Sequence, residues 1–175
     1  MPDWTTPKTW ETGEAVTASD MNTHIRDNVD HLHTRMENTD EYTLNEGSDY
    51  TTTSTSFVDV DATNLALTIT TTKDNAVVLV HFDGTVSVSG GTGPRVHMDV
   101  TLDGTAIGGD DGLQTRRADA YAGPISFTRA VVVPTAQSHT FKLQWKILGG
   151  GTATLYAGAG TSNYDLHPQF WVKEL

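Results

Sequence analysis

Cysteine is absent from the 175 residues. That excludes disulfides, thiolate metal sites and a cysteine nucleophile, and it leaves the redox compartment open. Basic residues are scarce, 11 Lys and Arg against 22 Asp and Glu, for a formal charge of −11. Recognition of a nucleic-acid backbone needs clustered Lys and Arg. Nucleic acid is therefore not an expected partner, and neither is an anionic membrane surface. The one basic pair, Arg116-Arg117, lies near Asp110, Asp111 and Asp119 and reads as a solvated loop. No apolar run approaches the ~20 residues of a membrane span, so no membrane insertion is expected. The start, Met1-Pro2-Asp3-Trp4, lacks the basic and apolar stretches of a secretory signal. The expectation is a chain made in a cytoplasm and not exported by the usual route.

What is present falls into two kinds of text. Residues 1–45 read as an N-terminal attachment arm followed by a short coiled-coil helix, and residues 46–175 as a β-sandwich head. The arm carries two of the four tryptophans, Trp4 and Trp10, in a polar, Pro-containing stretch without periodicity. Tryptophan often anchors interfaces. Two readings are open: an extended arm that docks on another protein, or two rings folded back on the chain's own head.

Thr17 and Asp20 have the spacing of a capping box, and Val16 and Met21 that of a hydrophobic staple. A helix is expected to begin at Ala18. Its apolar residues, Ile25, Val29, Leu32 and Met36, step by 4, 3 and 4, which is a heptad seam, and Asn22 falls one step earlier in the same register. The other faces are polar. A stripe this narrow suits a coiled-coil partner better than a globular core. About two heptads are marginal in water without further support. The alternative is one amphipathic helix packed on its own β-domain. His24, His31 and His33 have no carboxylate or cysteine at metal-site spacing, so no metal is assigned.

From residue 46 the period changes to two. Val96, Met98, Val100 and Leu102 alternate with His97, Asp99 and Thr101, and Asp103-Gly104 is a hairpin turn signal leading to Ala106-Ile107. Phe141, Leu143, Trp145 and Ile147 alternate with Lys142, Gln144 and Lys146, the text of a strand with one wet face. Phe57–Val60, Leu65–Ile69, Ala76–Phe82 with Thr85–Val88 after Gly84, Ile125–Val133, Thr152–Ala157 and Phe170–Glu174 complete eight to ten strands. Thr51–Ser56 reads as linker or strand edge, and Gly108–Gly123 as a charged, glycine-rich loop. With no helical pattern between strands, the expected fold class is mainly β, an antiparallel sandwich, of which the jelly roll is the commonest eight-strand form.

No catalytic constellation stands out. Ser89-Gly90-Gly91-Thr92-Gly93 and Gly149-Gly150-Gly151 are not phosphate loops and read as hairpin tips. There is no Gly-x-Ser-x-Gly elbow. Asp59/Asp61 and Asp110/Asp111 are acidic pairs, the second in the better setting for calcium, but the plainer reading is solvated loops. His81, His97, His139 and His167 lie in separate strands or loops. No catalytic residue, cofactor or metal is assigned, and the chain is expected not to be an enzyme.

The stretch Pro7-Lys8-Thr9-Trp10, Gly13-Glu14, Val16-Thr17-Ala18-Ser19-Asp20, Asn22-Thr23-His24-Ile25-Arg26-Asp27-Asn28 resembles a segment that opens many tailed-bacteriophage and prophage minor virion proteins. Ser138–Trp145 and Phe170–Leu175 resemble, more loosely, the closing strands of phage β-sandwich heads and of trimeric tumour-necrosis-factor-like jelly rolls. The first resemblance implies a virion location, assembly in a host cytoplasm, and attachment through the N-terminus. Together with the stem and head, the expected molecule is a fibre, spike or decoration knob held to other virion proteins by the arm, a homo-oligomer favoured as a trimer because a jelly roll over a short coiled-coil stem is a usual trimeric arrangement. A host-surface glycan or protein would be the outer contact, with Tyr121, Tyr156 and Tyr164 as the aromatic candidates at loop tips. The rivals are a capsid-stabilising decoration protein without a receptor, a monomeric carbohydrate-binding module, and a cytokine-like ligand, the last disfavoured by the missing cysteines and signal.

Overall fold

The computed structural model of the chain describes residues 4–44, 48–117, 121–158, 160 and 166–175. The expected helix starts at Ala18, as α1 (Ala18–Met21) and α2 (Asp27–Glu37) joined through a π-helical turn, Asn22–Arg26. The strands are β1 (Thr39–Thr43), β2 (Tyr50–Thr52), β3 (Val58–Asp59), β4 (Ala66–Thr70), β5 (Ala76–Ser89), β6 (Arg95–Leu102), β7 (Thr105–Ala106), β8 (Gln114–Arg117), β9 (Gly123–Val133), β10 (Ser138–Leu148), β11 (Thr152–Leu155) and β12 (Gln169–Glu174).

They form two six-stranded sheets in which every ladder is antiparallel. In the first, β5 runs through the middle, with β9 along one edge and β12 followed by β11 along the other. β1 extends the sheet beyond β12, and β2 extends it beyond β11. In the second, β10 and β6 pair over eight residues, with β3 and β4 outside β10 and β7 and β8 outside β6. The inward faces supply one core. Val78, Val80, Phe82, Phe170 and Val172 from the first sheet cluster with Val96, Met98, Val100, Phe141, Leu143, Trp145 and Ile147 from the second.

Gly84 does not interrupt the apolar run: β5 passes through it. A Cβ there would lie 2.8 Å from the Phe82 ring and 3.1 Å from Leu155, so the missing side chain is what lets the strand continue. Asp103-Gly104 is the expected hairpin, with both residues at positive φ, 49° and 84°, as a type I′ turn requires.

Several expectations need correction. The boundary expected at 45/46 is crossed by the sheet: Thr39–Thr43 pairs with β12, Tyr42 opposite Phe170. Ladder pairing thus begins the head at Thr39. The two glycine stretches are not hairpin tips. Each carries the chain from one sheet to the other, β5 to β6 and β10 to β11, and the two corners interlock. Thr92 donates to the Gly149 carbonyl at 2.9 Å. A Cβ on Gly91 would sit 2.4 Å from the Gly150 oxygen, and one on Gly151 2.4 Å from the Ser89 oxygen. Backbone against backbone at that distance leaves room for glycine alone.

β6 has no wet face. His97, Asp99 and Thr101 are 4%, 0% and 4% exposed, because the segment after Leu102 folds back over them. Nor is Arg116 a solvated loop residue. It sits in β8, and its guanidinium donates to the carbonyls of Val86, at 2.7 Å, and Gly123, clipping the second sheet to the first. Asp119, read as its acidic neighbour, lies outside the described residues.

Candidate assembly site

The helix begins as its sequence dictates. Thr17 is extended, its hydroxyl accepts from the Asp20 amide at 3.1 Å, and the Asp20 carboxylate accepts from the Thr17 amide at 3.2 Å. Hydrogen bonds from Thr17 hold the Asp20 carboxyl below the usual carboxylate range. The staple pair Val16 and Met21 remains exposed.

Asn28 is the only buried residue of the helix. Its amide clasps the arm: Thr5 N–H donates to Asn28 Oδ1 at 2.9 Å, and Asn28 Nδ2 donates to the Thr5 carbonyl at 2.7 Å. His24 Nδ1 meets the Thr6 carbonyl at 3.2 Å, and the Trp4 ring is tilted on His31 with centroids 6.0 Å apart. Lys8 pairs with Glu14 and Asp20 and lies over the Trp10 ring. The arm therefore folds back along the His24–Asn28–His31 stripe of its own helix. Trp4 and Trp10 keep 48% and 37% of their surface exposed and are not buried in the head.

The adjacent stripe is bare. Ile25 is 46% exposed, Val29 58%, Leu32 47% and Met36 73%. Asn22, the polar member of the register, is exposed in the π-helical turn, so regular α-helical geometry supports Val29, Leu32 and Met36, while Ile25 sits in the wider turn. No apolar helix residue packs into the β-core, so the alternative of a helix bedded on its own head does not hold among the described residues.

The helix leaves at a fixed joint. Asn38 ends it, donating through Nδ2 to the Thr70 carbonyl at 2.9 Å and to Glu174 at 2.6 Å. Glu174, 1% exposed, also accepts from the Thr72 amide and hydroxyl. Arg35 reaches the Leu175 carbonyl. Between arm, helix and head is a cavity of about 460 Å³ lined by Trp4, His31, Leu32, Arg35, Thr72 and Lys73. Nothing in the sequence pattern marked this cavity, because Thr72 and Lys73 reach it only through the fold.

The other singled-out residues have separate employments. The calcium candidates Asp110 and Asp111 turn backbone carbonyls inward, to Lys146 and to His97 Nδ1. Asp61 caps a turn through Thr63 and Asn64 and accepts from Tyr50, while Asp59 takes Gln144. His81 stacks on Trp171 at 4.9 Å. Burial pulls the buried His139 down, but the Asp103 carboxylate and Thr135 carbonyl at its two ring nitrogens outweigh this and raise it. Burial raises Asp99. Of the loop-tip tyrosines, Tyr121 is 77% exposed, the Tyr156 hydroxyl pairs with Ser87, and Tyr164 lies outside the described residues. A polar dish of about 480 Å³ on the second sheet is lined by Asp59, Thr101, Asp103, Thr140, Lys142 and Gln144.

No protein-family model matches the sequence, and no curated protein matches it. Among solved structures, the chain is similar to Eiger TNF from S. frugiperda, with 11% identity and a TM-score of 0.46 over 77% of this chain and 90% of that one. It is similar to the VP2 subviral particle protein of infectious bursal disease virus at 14% identity and a TM-score of 0.37, covering 77% of this chain and 36% of that one. It is similar to the delta-endotoxin Cry8Ea1 of Bacillus thuringiensis at 10% identity and a TM-score of 0.39, covering 73% of this chain and 20% of that one. Likenesses this distant carry no argument about function.

Proposed function

We propose that the chain is a non-enzymatic structural protein of a phage virion, an oligomeric knob whose stem joins copies and whose head projects as a small fibre, spike or decoration. In this reading the head is a jelly-roll sandwich, the assembly is a trimer, the arm contacts other virion proteins, and the outer loops meet a host-surface glycan or protein. The observation that carries it is the bare stripe Ile25, Val29, Leu32, Met36 on a helix that buries none of its apolar side chains. A helix this short is marginal in water unless its apolar face is packed, so the stripe calls for a partner. The phage-like opening segment supports the virion setting.

Light scattering on the full chain and on Leu32→Asp tests it. A concentration-dependent trimer that Leu32→Asp returns to monomer is expected. A wild-type chain that stays monomeric at all concentrations overturns the oligomeric knob. A second reading, a monomeric carbohydrate-binding module, is favoured by the polar dish around Asp59 and Gln144. It predicts glycan binding by a monomer, lost in Gln144→Ala.

A further inference from the structure

We infer that the cavity between arm, stem and head is a socket for Met36 of a second copy of this chain. The inference rests on the oligomeric reading above and names the contact that closes it. In a parallel, in-register coiled coil, a core side chain enters a hole made by four residues of the facing helix. For Met36 these are the positions four before, one before, level with and three after it: Leu32, Arg35, Met36 and Thr39. Leu32 and Arg35 are the stem residues at the seam edge of the cavity. Thr39 cannot supply the fourth wall, because the helix has ended at Asn38 and Thr39 begins β1. The Thr72-Lys73 turn stands in its place, tied to the helix end through Glu174. Trp4 closes the outer side, held there by the clasp of Thr5 on Asn28.

The occupant fits in exposure and chemistry. Met36 is the most exposed residue of the stripe, at 73%. A thioether is unbranched and adaptable and gains from an aromatic ring beside its sulfur. The basic groups flanking the stripe already have partners within their own chain: Arg26 with Asp27 at 2.7 Å, His33 with Glu37 at 3.2 Å, and Arg35 with the Leu175 carbonyl. Lys73, the exposed basic residue of the socket wall, can lay its aliphatic stem against the thioether while its ammonium stays in water.

The absence of cysteine makes the contact testable by cross-linking. Chains carrying only Met36→Cys are co-expressed with chains carrying only Lys73→Cys, or only Trp4→Cys, and treated with a short bismaleimide. The expected result is a Met36→Cys to Lys73→Cys link between chains, with the Trp4→Cys pair as an independent second wall. Asp59→Cys on the far dish should give none. Oligomers that link only through Met36→Cys to Met36→Cys overturn the socket and leave the oligomeric reading standing. A chain that stays monomeric in light scattering removes both.

Discussion

Stem and head solve opposite problems with similar residues. The head buries its inward-facing apolar side chains to the last few per cent: Phe82, Phe141, Leu143 and Phe170 have no exposed surface. The stem, with apolar residues at regular helical spacing, buries none of them. The difference is one of partners. Two amphipathic sheets can cover each other within one chain, whereas a single helix leaving the sheet edge at a fixed joint has no second layer of its own. The head's apolar faces are satisfied within the chain, and the stem's apolar stripe is not.

Several perturbations would break or sharpen this contrast. The largest effect is expected in the head. Trp145→Ala should cost about 3–5 kcal/mol in urea unfolding, because Trp145 fills the space between the sheets. A loss under about 1 kcal/mol would mean that the core is not the shared one described. At the joint, Glu174→Ala leaves the Thr72 and Asn38 donors without their buried acceptor. A cost of about 1–3 kcal/mol and faster amide exchange at Asn38 and Thr72 should follow. Unchanged exchange would make the joint loose already.

In the stem, Thr17→Ala removes the cap and should weaken the helix by about 1 kcal/mol. The readout is lower helical circular dichroism with the head's unfolding midpoint unmoved. A shift of that midpoint would show stem and head to be one cooperative unit.

The smallest effect concerns pH. Both ring nitrogens of the buried His139 face acceptors, Asp103 Oδ2 at 2.7 Å and the Thr135 carbonyl at 2.9 Å, so the protonated ring is the form that satisfies both. Burial opposes the charge, but the net displacement of His139 is upward. Its contribution is therefore full below the unfolded histidine value of about 6.5 and is lost as pH rises through the folded value. The Asp103 carboxyl is held below its ordinary value: burial works against this, but bonds from the Thr140 amide and His139 prevail. Its contribution is lost as pH falls through that lowered value. The stability difference between wild type and His139→Gln should shrink as pH is raised from about 6 towards 9. A difference that grows over that interval would mean the neutral ring is the stabilising form.

Local chemistry determined much of this on its own. The capping box at Thr17 and Asp20 fixed where the helix starts, because cap and first turn lie within one short segment. The alternation of Phe141 to Ile147 fixed which face of β10 is buried, because the strand period is two. The Asp103-Gly104 turn fixed its own hairpin, because few residues accept positive φ. The common face of Val29, Leu32 and Met36 was likewise legible, because the helical period stacks residues three and four apart.

Tertiary structure decided the rest, wherever a residue's role depends on a neighbour far along the chain. Thr39–Thr43 has one large apolar residue and Gln114–Arg117 none; each is a strand because β12 and β6 offer an edge. His97, Asp99 and Thr101 alternate like a wet face, yet the returning chain covers them. The two glycine stretches are inter-sheet corners because each occupies the space that a Cβ on the other would need. Arg116 is a clip because Val86 and Gly123 come within its reach only when both sheets are in place. The cavity beside Leu32 exists because Thr72, brought by β4 and β5, stands next to a helix that precedes it by four strands. Periodicity and turn chemistry report what a segment prefers; which surface meets it is settled only when distant backbone groups find their hydrogen-bond partners.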